Sequence, residues 1–468
     1  MQNSILTNKD GLETHFAHNN KIFAWAIDKT KTLCYYTHHQ RHIRQRASPA
    51  QPGESQPRDS GAAPKREVIM RAHKNGELRL HTTKIVKMLP KKGLVTMPKD
   101  RFTVVDLFAG AGGFSCAARS IGLQVLAAVE NDKHASSTYR HNFIKYKHTR
   151  NRPILFTDDI NELEPSKVLQ SISQTFGDTQ IDIVVGGPPC QGFSKHRHKD
   201  SGVDDPRNTL LLRYFTFIHE LNPKYFLMEN VGGLLWPKHK KYLDRFYELA
   251  QENGYNVCEP QVLDAKNYGV PQNRKRVFIL GKRSDITWSP IFQWPPKTTH
   301  ASPNSPEVKQ NKKRPWNTAA SVFDAPFVEN DPIAVHMNHS EELVAVFAST
   351  PPDGGSRFES GRCLPCHQKA EGHHDVYGRI STKRPGPTMT TGCINPSKGR
   401  FLHPFENHGI TIRHAARFQT FPEDFIFLGG LMSASRQVGN AVPVQLGEVV
   451  LRVIKREMEY KNEEIRHV

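Results

Sequence analysis

One cysteine stands where it could act as a nucleophile. Cys190 follows an apolar run and the sequence Gly-Gly-Pro-Pro, whose prolines restrict the backbone just before it. A cysteine taken at random is more often a small buried apolar residue, but this rigid presentation favours a thiolate nucleophile at the end of a strand. The basic, glycine-containing stretch at 195–208 is suited to closing over an anionic substrate.

A carboxyl group and two guanidinium groups could assist such a nucleophile. Glu229 ends the run Phe-Leu-Met-Glu, and a protonated carboxyl there can hydrogen-bond a ring nitrogen and so activate a pyrimidine. Arg274 and Arg276 alternate in the sequence, which predicts that both lie on one face at the start of a strand, where they could bind phosphate or a base carbonyl. Taken singly, each feature is also typical of a helix cap or a solvated sheet edge.

A glycine-rich turn indicates a cofactor site. Residues 106–115 read Asp-Leu-Phe-Ala-Gly-Ala-Gly-Gly-Phe-Ser, a strand, a turn and the start of a helix. Glu130 follows Gly110 by 20 residues, at the end of the next apolar run, where a carboxylate can accept hydrogen bonds from ribose hydroxyls. Ser115 stands where a dinucleotide-binding pattern has its third glycine, so the turn favours a nucleoside cofactor without phosphate.

These residues depend on an alternation of strands and helices. Apolar runs predict buried strands, and amphipathic runs predict helices between them. Such alternation implies right-handed crossovers and an α/β fold with a doubly wound, mostly parallel sheet. The predicted strands are 102–106, 125–129, 181–185, 225–228 and 277–280, and the predicted helices are 114–121, 209–221, 240–253 and 444–460.

Charge and composition narrow the class of protein. The 468 residues include 64 Lys and Arg against 46 Asp and Glu, a net charge of +18, which indicates a polyanionic partner. Residues 1–100 hold 18 of the basic and 8 of the acidic side chains, more than half of that surplus. No apolar run reaches membrane-spanning length, and 7 cysteines form no disulfide framework, so we expect a soluble cytoplasmic protein.

The chain divides into four predicted regions. Residues 1–100 form a basic amino-terminal extension, with a Pro- and Ser-rich linker at 47–66. Residues 101–283 hold the strand and helix alternation, and 284–376 lose it, which predicts a smaller irregular domain. Residues 377–468 return to the first domain and end in a helix.

The ordered motifs resemble those of the DNA cytosine-5 methyltransferases over about residues 102–455. The resemblance implies a class I S-adenosyl-L-methionine-dependent methyltransferase fold, that cofactor, and double-stranded DNA as partner. It also makes 284–376 a target-recognition domain. The matching segments are 106–115, 187–194, 229–231, 272–276, 411–422 and 437–443.

Matched motif by motif, the resemblance implies roles for individual residues. Cys190 would add to a cytosine flipped out of the duplex, and Glu229 would engage its N3 and exocyclic amine. Arg276 would contact the cytosine O2, with Arg274 supporting the same pocket. The cofactor would be bound by Phe108, Gly110, Gly112, Glu130, Asp159, Ile160, Asn440 and Val442, and no metal is expected.

Two features depart from the family pattern or lie outside it. His414 stands where the family usually has Glu, which we expect to concern docking rather than chemistry. Cys363, Cys366 and His367 could form a zinc site together with His373 or His374, although ordinary packing is the default interpretation.

Alternative functions remain at this point. A tRNA cytosine-5 methyltransferase shares the motifs, and a catalytically silent DNA-binding regulator would share the fold. Cys190 and Glu229 in intact motifs favour an enzyme, and the long region at 284–376 favours DNA. We therefore expect a monomeric, nucleoid-associated DNA methyltransferase of a restriction-modification system.

Overall fold

A computed structural model of the chain describes residues 6–7, 13–14, 101–145, 152–189, 209–326, 328–361 and 375–466. Cys190 and the cysteines and histidines of 363–374 lie outside these residues. The chain forms two compact units, Met1–Met88 and Leu89–Val468. In the first, Leu6–Thr7 pairs antiparallel with Glu13–Thr14. The sections below concern the second unit.

A single sheet organises the second unit. Its parallel strands run in the order β3-β2-β1-β4-β5, and β8 pairs antiparallel with β5 and carries β6 and β7. The strand order reverses between β1 and β4, where open α/β sheets have a ligand-binding crevice. The strands are β1 (Thr103–Leu107), β2 (Gln124–Val129), β3 (Ile154–Phe156), β4 (Ile183–Gly186), β5 (Tyr225–Asn230), β6 (Tyr255–Val257), β7 (Gln261–Asp264) and β8 (Lys275–Arg283).

Helices cover both faces of this sheet. Alternate residues of β1 face opposite cores: Val104 packs with the first and the last helix of this unit, whereas Val105 packs with three of the helices between them. The α/β fold with a doubly wound, mostly parallel sheet is therefore confirmed, and the predicted strands coincide with β1, β2, β4, β5 and β8. The first helices are α1 (Gly113–Ser120), α2 (Lys133–Tyr139), which continues as a π-helical turn (Arg140–Lys145), α3 (Pro165–Phe176), α4 (Thr209–Leu221) and α5 (Lys240–Glu252).

The chain after β8 has little regular structure until its last helices. Among the described residues of 284–411 only short elements interrupt it, and the domain boundaries at 284 and 376 stay predictions. No helix in the described part of the chain is both long and apolar enough to span a membrane. The elements are β9 (His300–Ala301), α6 (Pro306–Lys309), β10 (Arg314–Pro315), α7 (Ala320–Phe323), α8 (Glu341–Ser349), α9 (Ile412–Phe418), α10 (Leu431–Asn440) and α11 (Val444–Arg466).

Four histidines pack together beside the start of α9. The rings of His336 and His408 stack with centroids 4.0 Å apart, and the His403 ring lies 5.4 Å from His408 and 5.2 Å from His414. His414 also completes a capping box, because the Thr411 N–H donates to its Nδ1 and its own N–H donates to the Thr411 hydroxyl. The imidazole thus fills the capping role of a glutamate at this position.

Burial keeps two of these histidines, His403 and His414, uncharged. Burial, then the neighbouring His403, Arg417 and His408, lower the pKa of His414 to about 3. Burial, then His408 and Arg379, lower the pKa of His403 to about 4. Both imidazoles are therefore neutral at pH 7.

We predict that the cluster makes the fold sensitive to mild acid. In the unfolded chain histidines bind protons near pH 6.5, whereas folded His414 cannot, so stability is complete above pH 6.5 and falls as the pH is lowered. For His414 alone the loss between pH 7 and pH 5 is about 2 kcal/mol. The variant His414→Gln keeps a capping acceptor and should show a shallower pH dependence of thermal unfolding. The exposed His219→Gln is the control, and equal pH profiles for all three proteins would contradict the prediction.

Candidate active site

Glu130 closes the turn between the carboxyl ends of β1 and β2. The Gly110 N–H donates to its Oε2 at 2.8 Å, and the Asp132 N–H donates to its Oε1 at 2.7 Å. Burial raises the pKa of Glu130, and these two bonds lower it in part. Each carboxylate oxygen has about two acceptor positions, so both can still accept a hydroxyl donor.

The glycine turn itself is open on one side and packed on the other. Phe108 has φ 56°, in the left-handed region where bulky residues are uncommon, and Gly110 and Gly112 have φ 57° and 101°. A Cβ built on Gly110 would meet no atom within 4 Å, whereas one on Gly112 would strike the Phe143 ring. The opening for a ligand is therefore at Gly110.

The other predicted cofactor residues come from three further segments. Asp159 is exposed and Ile160 is buried, just after β3, which pairs with β2. Asn440 is the exposed last residue of α10. The Val442 carbonyl would lie 2.5 Å from a Cβ on Gly113, so only glycine lets the late segment approach the start of α1.

A second cluster lies at the carboxyl end of β5. Glu229 is 7% exposed, and its Oε1 lies 2.9 Å from the Arg276 Nε. Burial raises the pKa of this carboxyl, and the charges of Arg276 and Arg274 lower it in part. The group is therefore more readily protonated than a free glutamate.

The turn that leads to Cys190 is fixed against this carboxyl. A Cβ on Gly187 would lie 3.2 Å from the Glu229 Oε2, so glycine allows the close approach. The Asn230 side-chain amide donates to the Pro188 carbonyl at 3.3 Å. The described residues end at Pro189, so the position of Cys190 itself is not part of this geometry.

The two arginines of the Gln-x-Arg-x-Arg motif have different surroundings. Arg276, in β8, pairs with Glu229, whereas Arg274 is 1% exposed and donates to main-chain carbonyls. Its Nη1 donates to Met389 (2.8 Å), and its Nη2 donates to Gly439 (2.8 Å) and Ala441 (2.9 Å). Arg274 therefore joins the entrance of β8 to the carboxyl-terminal segment.

Two glutamines that the sequence analysis gave no role extend this connection. The Gln272 amide donates to the Gln419 Oε1 at 2.7 Å, and the Met389 N–H donates to the Gln272 Oε1 at 3.0 Å. The Gln419 amide donates to the carbonyls of Val438 and Ala441. Both glutamines lie inside the matched motifs and are fully buried. A polar residue inside a motif was the one sequence signal that could have indicated a buried hydrogen-bond network.

Ser115 also has a structural explanation. Its hydroxyl donates to the Asp106 Oδ2 at 2.6 Å and contacts the Tyr139 hydroxyl at 2.8 Å, so it fastens α1 to β1 and α2. Burial raises the pKa of Asp106 to about 7. The serine that argued against a dinucleotide thus holds the glycine turn in place.

No group of three or more His, Cys, Asp or Glu side chains among the described residues could hold a metal ion. The cysteine and histidine segment at 363–374 lies outside them, so both its default interpretation as ordinary packing and the alternative of a zinc site stay predictions.

Fold and motifs together define a cytosine-modifying enzyme class. The family model for C-5 cytosine-specific DNA methylase matches residues 102–456. The chain therefore belongs to this family and is a DNA cytosine-5 methyltransferase, as the motif resemblance predicted.

Individual relatives agree with this assignment. The chain is 31% identical over 381 residues to the type II methyltransferase M.DdeI of Desulfomicrobium norvegicum, across 74% of this chain and 87% of the relative. It is 30% identical over 357 residues to M1.HphI of Haemophilus parahaemolyticus, across 75% and 86%. A crystal structure of a prophage-encoded protein of E. coli, assigned as a DNA modification methyltransferase, shares the fold with TM-score 0.56 and 22% identity, across 76% of this chain and 99% of that one.

We predict that Arg274 is needed for stability more than Arg276. The planar guanidinium donates to three carbonyls at once, and the single ammonium of lysine cannot do so in the same geometry. Arg274→Lys should therefore lower the free energy of unfolding by about 3 kcal/mol. Arg276→Lys keeps a cation beside Glu229 and should cost about 1 kcal/mol or less. Urea unfolding of both variants measures the difference, and equal losses would contradict the assignment.

Proposed function

We propose that this enzyme transfers a methyl group from S-adenosyl-L-methionine to carbon 5 of a cytosine flipped out of a specific duplex DNA sequence. The observation that carries the proposal is the ion pair between Glu229 and Arg276, 2.9 Å apart at the end of β5. It faces the Gly-Pro-Pro turn that leads to Cys190, because Gly187 approaches the same carboxyl.

Covalent catalysis follows from the chemistry of the base. Carbon 5 of cytosine is too weak a nucleophile to accept a methyl group directly, but addition of the Cys190 thiolate to carbon 6 makes the ring an enamine. Glu229 offsets the charge that develops at N3, and Arg276 binds O2. Carbon 5 then takes the methyl group and loses its proton, which expels the Cys190 thiolate and restores the ring.

The target base must leave the duplex for this reaction. A thiolate cannot reach carbon 6 of a stacked base from above the ring, so the nucleotide is extruded at a cost of a few kcal/mol. The basic loop at 195–208 closes behind it and excludes water.

The turn at Gly110 suits the proposed cofactor. The bound cofactor supplies a methyl group on a positively charged sulfonium. Glu130 has acceptor positions left for both ribose hydroxyls, and the space beside Gly110 is open. Phe108, Gly112, Asp159, Ile160, Asn440 and Val442 complete the proposed cofactor site.

Arg274 has a positioning role in this proposal. Its donors serve the carbonyls of residues 389, 439 and 441, so it holds the segment with Asn440 and Val442 against the β8 entrance. It reaches the base only through its charge beside Glu229.

The biological setting is proposed from the relatives. M.DdeI and M1.HphI are type II methyltransferases. We propose that this enzyme likewise protects DNA in a restriction-modification system, and that it acts as a monomer at the nucleoid in the cytoplasm.

Activity and target sequence can be measured together. Bisulfite sequencing of plasmid DNA from cells that express the enzyme should show methylated cytosines in one recurring sequence context. If the plasmid is unmodified and the enzyme methylates tRNA in vitro, the substrate is RNA and the proposal is wrong. Absence of transfer to either nucleic acid would favour a silent regulator.

The covalent step has its own prediction. With S-adenosyl-L-methionine and duplex DNA that carries 5-fluorocytosine at the target, the wild-type enzyme should form an adduct stable to denaturing electrophoresis. The fluorine cannot leave as a proton does, so the thiolate stays attached. Cys190→Ser should form none, and Cys258→Ser, on a partly buried cysteine, should match the wild type. An adduct with Cys190→Ser would refute the mechanism.

Glu229 should act on the rate more than on binding. Glu229→Gln keeps the size of the side chain but cannot supply a proton at N3, so single-turnover methyl transfer should slow by about 100-fold or more. DNA affinity should change little, and the exposed Glu220→Gln serves as the control. A rate loss explained wholly by weaker DNA binding would contradict this role.

A further inference from the structure

A cavity lies where Asn273, just before β8, meets the segment around Gly386. It has a volume of about 390 Å³, and its wall includes Asn273, Gly386, Arg384, Lys398 and Arg400. None of these side chains has a role in the methyl-transfer chemistry proposed above.

One short segment connects the cavity to the active site. The Asn273 N–H donates to the Gly386 carbonyl at 2.8 Å, and its side-chain amide donates to the Pro385 carbonyl at 3.1 Å. Three residues later, Arg276 pairs with Glu229. The short stretch 273–276 therefore joins the cavity wall to the residues of the proposed base pocket.

The cavity has a surplus of positive charge. Arg400 is paired with Asp375 at 2.9 Å and donates to the carbonyls of Gly354 and Gly355. Arg384 and Lys398 are exposed, and within the described residues neither has a carboxylate partner within 4.0 Å. Two cations are thus left for an anion from outside the chain.

The backbone around these cations is fixed. Pro385 and Pro387 flank Gly386, where a Cβ would strike the Phe418 ring. The Thr388 hydroxyl donates to the Asn273 carbonyl. Binding therefore requires little ordering of the cavity wall, which favours affinity.

We propose that Arg384 and Lys398 bind a backbone phosphate of the DNA strand that carries the target cytosine, next to the flipped nucleotide. This inference rests on the proposed function. The proposed function places the flipped base at Glu229 and the cofactor at Glu130. The sugar-phosphate chain is the anionic part of the DNA that still has no assigned binding residues. Exposed, flexible cations of this kind position DNA, whereas base reading requires fixed donors and acceptors at base edges. The guanidinium can bind two phosphate oxygens, and the ammonium adds a point charge.

The salt dependence of DNA binding tests this proposal. Affinity for a duplex with the sequence that the enzyme methylates is measured over a range of salt concentrations for the wild type, Arg384→Gln and Lys398→Gln. Loss of a phosphate contact should reduce the slope of log affinity against log salt by about 1 for each variant. Lys383→Gln is the matched control, because Lys383 is exposed in the same segment but pairs with Asp353 at 3.8 Å outside the cavity. Sequence preference and cofactor affinity should be unchanged.

Single neutral methylphosphonates in the target strand then locate the phosphate. A position near the cytosine that weakens wild-type binding should weaken the binding of Arg384→Gln less, because only the Lys398 contact is left to lose. It should have no effect on the double variant Arg384→Gln/Lys398→Gln. An unchanged slope in both variants, or a changed sequence preference, would overturn the proposal while wild-type methylation still stood. A wild-type enzyme that does not methylate duplex DNA would overturn the proposed function and this inference together.

Discussion

The buried guanidinium of Arg274 joins segments that are far apart in the sequence. It donates to carbonyls 115, 165 and 167 residues away and so holds residues 389, 439 and 441 at the entrance of β8. A buried charge is costly unless it is hydrogen-bonded. Here three main-chain carbonyls accept from the two Nη atoms, whereas the buried Nε has no hydrogen-bond partner among the described residues. Gln272 and Gln419 extend the same network, so the end of α10 and the entrance of β8 are fixed together.

Two glutamates, the buried Glu229 and the partly buried Glu130, show how environment separates similar groups. Burial raises the pKa of both Glu130 and Glu229. Two backbone N–H groups donate to Glu130, and such bonds favour the ionised carboxylate, which can accept from hydroxyl groups. Glu229 instead lies beside Arg276, where the proposed role requires a carboxyl that can hold a proton. The strand order places one at the end of β2 and the other at the end of β5, on either side of the reversal between β1 and β4.

Much of this architecture could be predicted from the sequence, because apolar runs and glycine turns act locally. The strands of the sheet and the connection from Gly110 to Glu130 follow from such patterns. The main-chain partners of Arg274 do not, because they lie 115 to 167 residues away and only the folded chain brings them together. The bonds of Gln419 and the capping by His414 depend on partners or neighbours that only the folded chain brings together. The roles of individual site residues, Cys190 above all, stay predictions from motif.

The contact between Gly113 and Val442 has a consequence for how the enzyme is made. Gly113 begins α1, the helix that follows the first strand of the sheet. Its neighbour, the Val442 carbonyl, comes more than 300 residues later in the chain. A ribosome releases these segments in order, so the amino-terminal half can fold its strands while the proposed cofactor site still lacks a wall. Nascent chains would therefore stay unable to modify DNA until translation has passed Val442.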